Sequence, residues 1–185
     1  MRIALFGGSF DPPHLGHKTV ANTVVAKKIA DQVWFVPCAN HPFAKELSSA
    51  NHRLAMLQLL GNYPIYAYEI EKDTKSYSIE TLEHAAAEFP QHTFVWLMGS
   101  DQLKDFHKWN RYEDIVNKFG VLVYPRKGYA LEPLIPGMKA LHEVPEVGTS
   151  STEIRNAVKE QKSLESLTLP TIARYIEEHG LYSGK

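Results

Sequence analysis

Cysteine is nearly absent from this chain, with Cys38 the single one among 185 residues. That excludes an internal disulfide framework and any zinc site built from several thiolates, and Cys38 itself reads as a small buried apolar residue. No apolar run reaches the roughly 18 residues of a membrane-spanning helix. The start, Met1-Arg2-Ile3, passes straight into a strand pattern, without the charged segment, apolar stretch and cleavage site of a secretion signal. Charge of one sign is missing as well. Twenty Lys and Arg stand against 21 Asp and Glu, a formal net charge of -1, which argues against a surface that coats nucleic acid or adheres to a membrane but leaves room for a nucleotide-sized ligand. Internal repeats and low-complexity segments are lacking too. Together these absences predict a soluble, cytoplasmic protein that binds neither nucleic acid nor membrane. Its 185 residues, 44% of them hydrophobic, fit one domain over residues 1–185 with a sizeable core. A homo-oligomer is compatible with this composition, which does not specify the oligomeric state.

What is present is alternation. Apolar, β-branched or aromatic runs at residues 2–6, 33–37, 64–70, 93–98 and 119–124 are separated mostly by stretches of helical spacing. This predicts a doubly wound α/β domain with a mainly parallel sheet of five or six strands and helices on both faces. The first helix is expected from about Gly16 to Ala30, with Val20, Ala21 and Val24 inward. The second runs from about Asn51 to Leu60, with Leu54, Met56 and Leu57 inward. A third follows from about Ser78 to Phe89, with Ser78 as its cap and Pro90 marking its end. Residues 125–148, rich in proline and glycine, read as irregular chain with at most one short strand. Ser150-Ser151-Thr152-Glu153 matches a capping box, and a last helix starts near Pro170 and stops at Gly180.

The most informative segment directly follows the first strand: Gly7-Gly8-Ser9-Phe10-Asp11-Pro12-Pro13-His14-Leu15-Gly16-His17. Glycines let the backbone approach a ligand, a helix start offers free N–H groups and a positive dipole end to phosphate, and two imidazoles three residues apart can face one point. Neither of two better-known phosphate loops fits. There is no Gly-x-Gly-x-x-Gly between residues 2 and 20, and Gly16-His17-Lys18-Thr19 departs from the Walker pattern because His17 intervenes before the lysine. The alternative for His14 and His17 is structural, one capping the helix and the other satisfied in the core. Their place at the carboxyl end of a strand, where open α/β sheets put their ligand crevice, favours a phosphate-handling role, and Gly16 is read as clearing space for that phosphate.

This segment resembles the signature of the nucleotidyltransferase superfamily with the His-x-Gly-His motif. Within that superfamily the chain is similar to bacterial nicotinate mononucleotide adenylyltransferases, through Val33-Trp34-Phe35-Val36-Pro37, His52-Arg53-Leu54-Ala55-Met56-Leu57, Ser76-Tyr77-Ser78-Ile79-Glu80-Thr81-Leu82, Gly99-Ser100-Asp101 and Ser150-Ser151-Thr152-Glu153-Ile154-Arg155. The resemblance implies adenylyl transfer from ATP to the 5′-phosphate of nicotinate mononucleotide, giving deamido-NAD and pyrophosphate. His14, His17 and Arg155 would then be catalytic. ATP would meet Gly7, Gly8, Ser9, Phe10, Gly16, Asp101, Ser150, Ser151, Thr152 and Ile154, and the mononucleotide would meet Lys45, Tyr77, Ser78 and Trp109. Mg²⁺ is implied as arriving with ATP, with no protein ligand assigned to it. The crevice would lie at the carboxyl ends of the first strand and of the fourth run, residues 93–98. Lys18 and Arg126 are further candidates for phosphate contact.

The chain departs from its relatives at Asn40-His41-Pro42-Phe43-Ala44-Lys45, where they commonly carry Pro-Pro-His-Lys, and over residues 125–148. Rival readings share the loop: nicotinamide mononucleotide or phosphopantetheine adenylyltransferases, cytidylyltransferases for alcohol phosphates, and a fragment of a class I aminoacyl-tRNA synthetase. Trp109 and Ser76-Tyr77-Ser78 favour a pyridine nucleotide, and the absence of a basic face disfavours tRNA. A module that senses a nucleotide without turning it over is the alternative outside enzymes; retention of both histidines and Arg155 speaks against it.

Overall fold

Strand β1, Arg2–Gly8, runs through the middle of the molecule with side chains buried on both of its faces. The computed structural model describes residues 1–39, 47–72 and 77–184. Helix α1 (Leu15–Ala26) leads to β2 (Gln32–Pro37), and α2 (Ala50–Leu60), a short α3 (Tyr68–Lys72) and α4 (Ser78–Glu88) follow. Strand β3 (Thr93–Gly99) passes into a 3₁₀ segment, Ser100–Lys108. Then come α5 (Tyr112–Asp114), continued by a wider turn over Ile115–Phe119, the strands β4 (Val121–Tyr124) and β5 (Met138–Ala140), and the helices α6 (Ser151–Lys159) and α7 (Pro170–Glu178).

The five strands form one sheet in the order β2-β1-β3-β4-β5, and every pairing is parallel. Alternation along the strands divides the core. Ala4 and Phe6, Val95 and Leu97, and Leu122 and Tyr124 face α1, α2, α6 and α7, whereas Ile3 and Leu5, Trp96 and Met98, and Val121 and Val123 face α4 and the segment around Phe106 and Ile115. Strand order reverses between β1 and β3, the chain adding β2 on one side of β1 and then β3, β4 and β5 on the other, and these two parallel neighbours lie with Phe6 level with Leu97. At such a switch point the two following connections leave on opposite sides and open a crevice at the carboxyl ends.

One expected strand is absent. Residues 64–70 make a single bridge, Ile65 to Phe35 on the edge strand β2, and then turn into α3. The helical course swings Glu69 inward to accept a 2.7 Å hydrogen bond from the Thr81 hydroxyl of α4. The crevice therefore lies at the ends of the first and third strands. Two further expectations are corrected. Tyr77, not Ser78, is the N-cap of α4, and it makes no side-chain capping bond. Along α2, Leu54 is only half-buried while Arg53 is fully buried.

Candidate active site

The turn after β1 is built around close approaches. A Cβ on Gly7 would lie 2.2 Å from Trp96 Cζ2, so only glycine lets β1 lie flush against that ring. Phe10 takes a left-handed conformation, φ 49°, and its ring packs edge-on against Phe6, Phe35 and the His17 imidazole. Phe10 is thus a core side chain, and only its backbone remains to meet a ligand.

The two histidines cap α1 reciprocally. His17 N–H donates to His14 Nδ1 at 3.4 Å, and His14 N–H donates to His17 Nδ1 at 3.2 Å, with the rings stacked 3.6 Å apart. An Nδ1 that accepts carries no proton, so each neutral ring holds its hydrogen on Nε2, and neither Nε2 has a partner among the described residues. The structural and functional readings of this pair thus coexist: one nitrogen of each ring serves the helix and the other is a donor. Burial first, then the Arg126 guanidinium, holds His14 down at about 3. Burial first, then His14 and Arg126, keeps His17 well below the ordinary histidine value.

That electrostatic setting has a pH consequence. Unfolded His14 takes up a proton near pH 6.5, whereas the folded, 2% exposed ring resists until about 3. Stability from this group is therefore level above about pH 6.5 and is lost as pH falls towards 3, by about 1 kcal/mol per pH unit. Thermal melts from pH 7.5 to 4.5 should show a shallower decline for His14→Asn than for the parent; equal slopes would contradict the assignment.

The space beside Gly16 is filled by packing and is not left clear for a phosphate. A Cβ there would meet Val147 Cγ1 at 2.4 Å and His14 Nδ1 at 3.0 Å, so a side chain would push the capping ring out of place. The second helix start lies against the same turn. Ser150 caps α6 by accepting the Glu153 N–H at 3.1 Å, Ser151 Oγ donates to the Pro12 carbonyl at 2.8 Å, and Arg155 donates to the Asp11 carbonyl at 2.7 Å and to Thr152 Oγ1 at 3.0 Å. Thr152 is exposed and free to face solvent. Ile154 is wholly buried, with its N–H on the Ser150 carbonyl, so its side chain anchors α6 in the core.

A cavity of about 510 Å³ opens beside the glycine turn, within the size range of small-molecule sites. Gly7, Gly8 and Ser9 line one wall, Tyr77 and Ser78 another, and Asp101, Lys108 and Trp109 a third. Trp109 stands edge-on to Trp96 at 6.2 Å, leaving an aromatic face at the cavity wall. Three of the four residues expected at the mononucleotide thus share one cavity; Lys45 lies outside the described residues. His14, His17 and Ser150 to Arg155 are not among its lining. They belong to the adjoining region, where the starts of α1 and α6 meet. Cys38 also lines the cavity, half-buried rather than buried, its Sγ 3.8 Å from Ser9 Oγ and its thiol raised by burial.

Asp101 links the two regions. Its carboxylate lies 3.8 Å from the guanidinium of Arg126, which donates to the Thr149 carbonyl at 2.7 Å and acts on both histidines. Gly99 leaves the room for it, since a Cβ there would sit 2.3 Å from Asp101 Oδ1. Two features of this region have no periodic signature in the sequence. Asp11 is buried and accepts from Tyr182 Oη at 2.6 Å and from Ser48 N–H at 3.2 Å. Arg53 lies buried behind the turn. Only the neighbouring block His52-Arg53-Leu54 hinted at the latter. Among the described residues no three His, Cys, Asp or Glu side chains group to hold a metal ion, and no helix is long and apolar enough to cross a membrane.

Residues 5–157 match the cytidylyltransferase-like family model. The chain is 36% identical to a probable nicotinate-nucleotide adenylyltransferase of Thermus thermophilus, over 98% of this chain and the whole of that one. It is 30% identical to the nicotinate-nucleotide adenylyltransferase of Bacillus subtilis, over 98% of each. A nicotinic acid mononucleotide adenylyltransferase of Plasmodium falciparum, solved in complex with NaAD, superposes with a TM-score of 0.85 over the whole of this chain and 98% of that one. At 21% identity this likeness speaks for the fold.

Proposed function

Because this chain belongs to the cytidylyltransferase-like family and matches nicotinate-nucleotide adenylyltransferases along almost its full length, we infer that it transfers the adenylyl group of ATP to nicotinate mononucleotide, forming deamido-NAD and pyrophosphate in NAD biosynthesis. The observation that carries the chemistry is the reciprocal histidine cap, which keeps two neutral imidazole donors at a helix start beside a nucleotide-sized cavity.

The reaction asks little covalent chemistry of the protein. The mononucleotide phosphate is already an anion, so an oxygen of it attacks the α-phosphorus of ATP, the bond to the β-phosphate oxygen breaks, and pyrophosphate leaves with that electron pair. The protein aligns the partners and neutralises charge gathering on the phosphoryl oxygens. We assign that role to the Nε2–H groups of His14 and His17 and to the N–H groups of Ser9 and Gly16, for which no acceptor stands among the described residues. Ser150, Ser151, Thr152 and Arg155 at the start of α6 would receive the outgoing pyrophosphate. Asp101 would meet the nucleotide between the two regions. Arg126 would add positive potential where both histidines feel it.

Nucleotidyltransferases of this kind generally use a divalent metal with ATP, and we take the ion to be Mg²⁺. Asp11 is engaged by Tyr182 and Ser48, and Asp101 faces Arg126. This donor set suits a cation brought on the triphosphate with its own waters, where it would supply charge neutralisation.

Trp109 would lie against the pyridine ring, which carries a positive charge suited to an aromatic face. Trp109→Ala is expected to raise the KM for the mononucleotide about tenfold while leaving that for ATP near the parent value. Equal effects on both would remove Trp109 from the pyridine subsite. The assignment as a whole is tested by pyrophosphate release from ATP and Mg²⁺ with each pyridine mononucleotide in turn. Nicotinate mononucleotide should be the best acceptor. Release with none of them would overturn the enzyme reading, and a preference for the amide would overturn the substrate.

A further inference from the structure

Arg53, in the first turn of α2, is 1% exposed and among the largest fully buried side chains. Among the described residues its hydrogen bonds all go to main-chain carbonyls: Nε to Ser48 at 3.1 Å, Nη1 to Ser9 at 3.1 Å and Cys38 at 2.7 Å, and Nη2 to Ala39 at 3.3 Å. Among the described residues it has no ion-pair partner within 4.0 Å. Taking a guanidinium out of water is costly, which makes it an expensive way to fasten loops together.

Its position gives the reason. Pairing of β1 with β2 ends at Gly8 with Pro37, and the last ladder bond is Cys38 N–H to the Gly8 carbonyl at 3.0 Å. One residue further on, the Ser9 and Cys38 carbonyls both need a donor, and neither can satisfy the other. Nη1 of Arg53 serves both. Ser9 and Cys38 also line the cavity, so the guanidinium sets the spacing of its two walls where the sheet stops doing so. Because a trans peptide is planar, its C=O and N–H point in opposite directions. Holding the Ser9 carbonyl against Arg53 therefore aims the Phe10 N–H away from it, and no group among the described residues accepts that N–H.

We infer that Arg53 is a positioning residue for the adenylyl transfer proposed above: it anchors the Ser9 carbonyl so that the Phe10 N–H and its neighbours stand ready for a phosphoryl oxygen. The inference rests on that functional reading. Lysine keeps the charge but loses the planar fork that reaches carbonyls on three segments.

Arg53→Lys, assayed by pyrophosphate release well below its melting temperature, should lose at least about tenfold in kcat, with both KM values within about threefold of the parent. Arg53→Gln should lose more. A purely structural role would lower the melting temperature and leave kcat within about twofold, and that result would overturn the inference. Should neither variant fold, the parent still decides. In arginine-labelled protein the Arg53 guanidinium N–H signals, protected from exchange by burial, should shift when a non-hydrolysable ATP analogue and the mononucleotide bind together, and unmoved signals would refute it. A parent that releases no pyrophosphate would instead undo the function on which the inference rests, so the two failures are distinguishable.

Discussion

His17→Ala should lower turnover by about 10²- to 10³-fold while ATP affinity changes little, the loss typical of removing one donor aimed at developing negative charge. The structure requires a control, because His17 also caps α1 through Nδ1. Losing that acceptor costs about 1 kcal/mol of stability whatever Nε2 does. Asparagine can place an oxygen where Nδ1 stood, and glutamine a donor where Nε2 stood. His17→Asn should therefore be nearly as stable as the parent and nearly as inactive as the alanine variant, with His17→Gln less stable and more active than either. A turnover that followed stability across the three variants would show the ring to be a cap alone. Equal losses in kcat and ATP affinity would contradict a role specific to the transition state.

Arg155→Ala is expected to cost about 10²-fold in kcat/KM. Two contributions combine in that loss. The guanidinium ties α6 to the signature turn through the Asp11 carbonyl and steadies Thr152, and its planar fork is the strongest anion grip at that helix start. Running the reaction backwards separates them. From deamido-NAD and pyrophosphate, the alanine variant should show a raised KM for pyrophosphate in particular, whereas a loosened turn alone would depress both directions without singling out one substrate. Arg155→Lys, which retains charge, should fall between the two. An Arg155→Ala enzyme within threefold of the parent in both directions would remove the residue from the mechanism.

The failed expectations share a pattern. Residues 64–70 carry a strand-like composition, yet they add one rung to β2 and turn, because the buried contact available to them is Glu69 with Thr81. Gly16 had a plausible local reason, room for a phosphate, but its neighbours are Val147 and the His14 ring, the first of them 131 positions away in the chain. Ile154 sits in a block that resembles a ligand-binding motif, and its side chain is nevertheless core. Arg53 falls on the inward side of α2, where periodicity calls for an apolar residue. What makes an arginine tolerable there is a set of carbonyls from three separate segments. Asp11 depends in the same way on Tyr182, 171 residues further along.

What the sequence by itself determined is whatever depends on near neighbours. The alternation of β1 with α1, the glycine turn, a capping histidine at the start of α1, the cap Ser150 and the start of α7 at Pro170 all follow from spacings of a few residues, because hydrogen bonds within a turn and helix periodicity act over that range. Only the tertiary structure decided which groups share a surface: the switch point between β1 and β3, the meeting of the α1 and α6 starts, the cavity that joins Ser9, Tyr77 and Trp109, and the buried cation behind it. Burial and electrostatics are set by what packs against a group from every direction. Most of those partners are distant in the chain, where no local pattern records them.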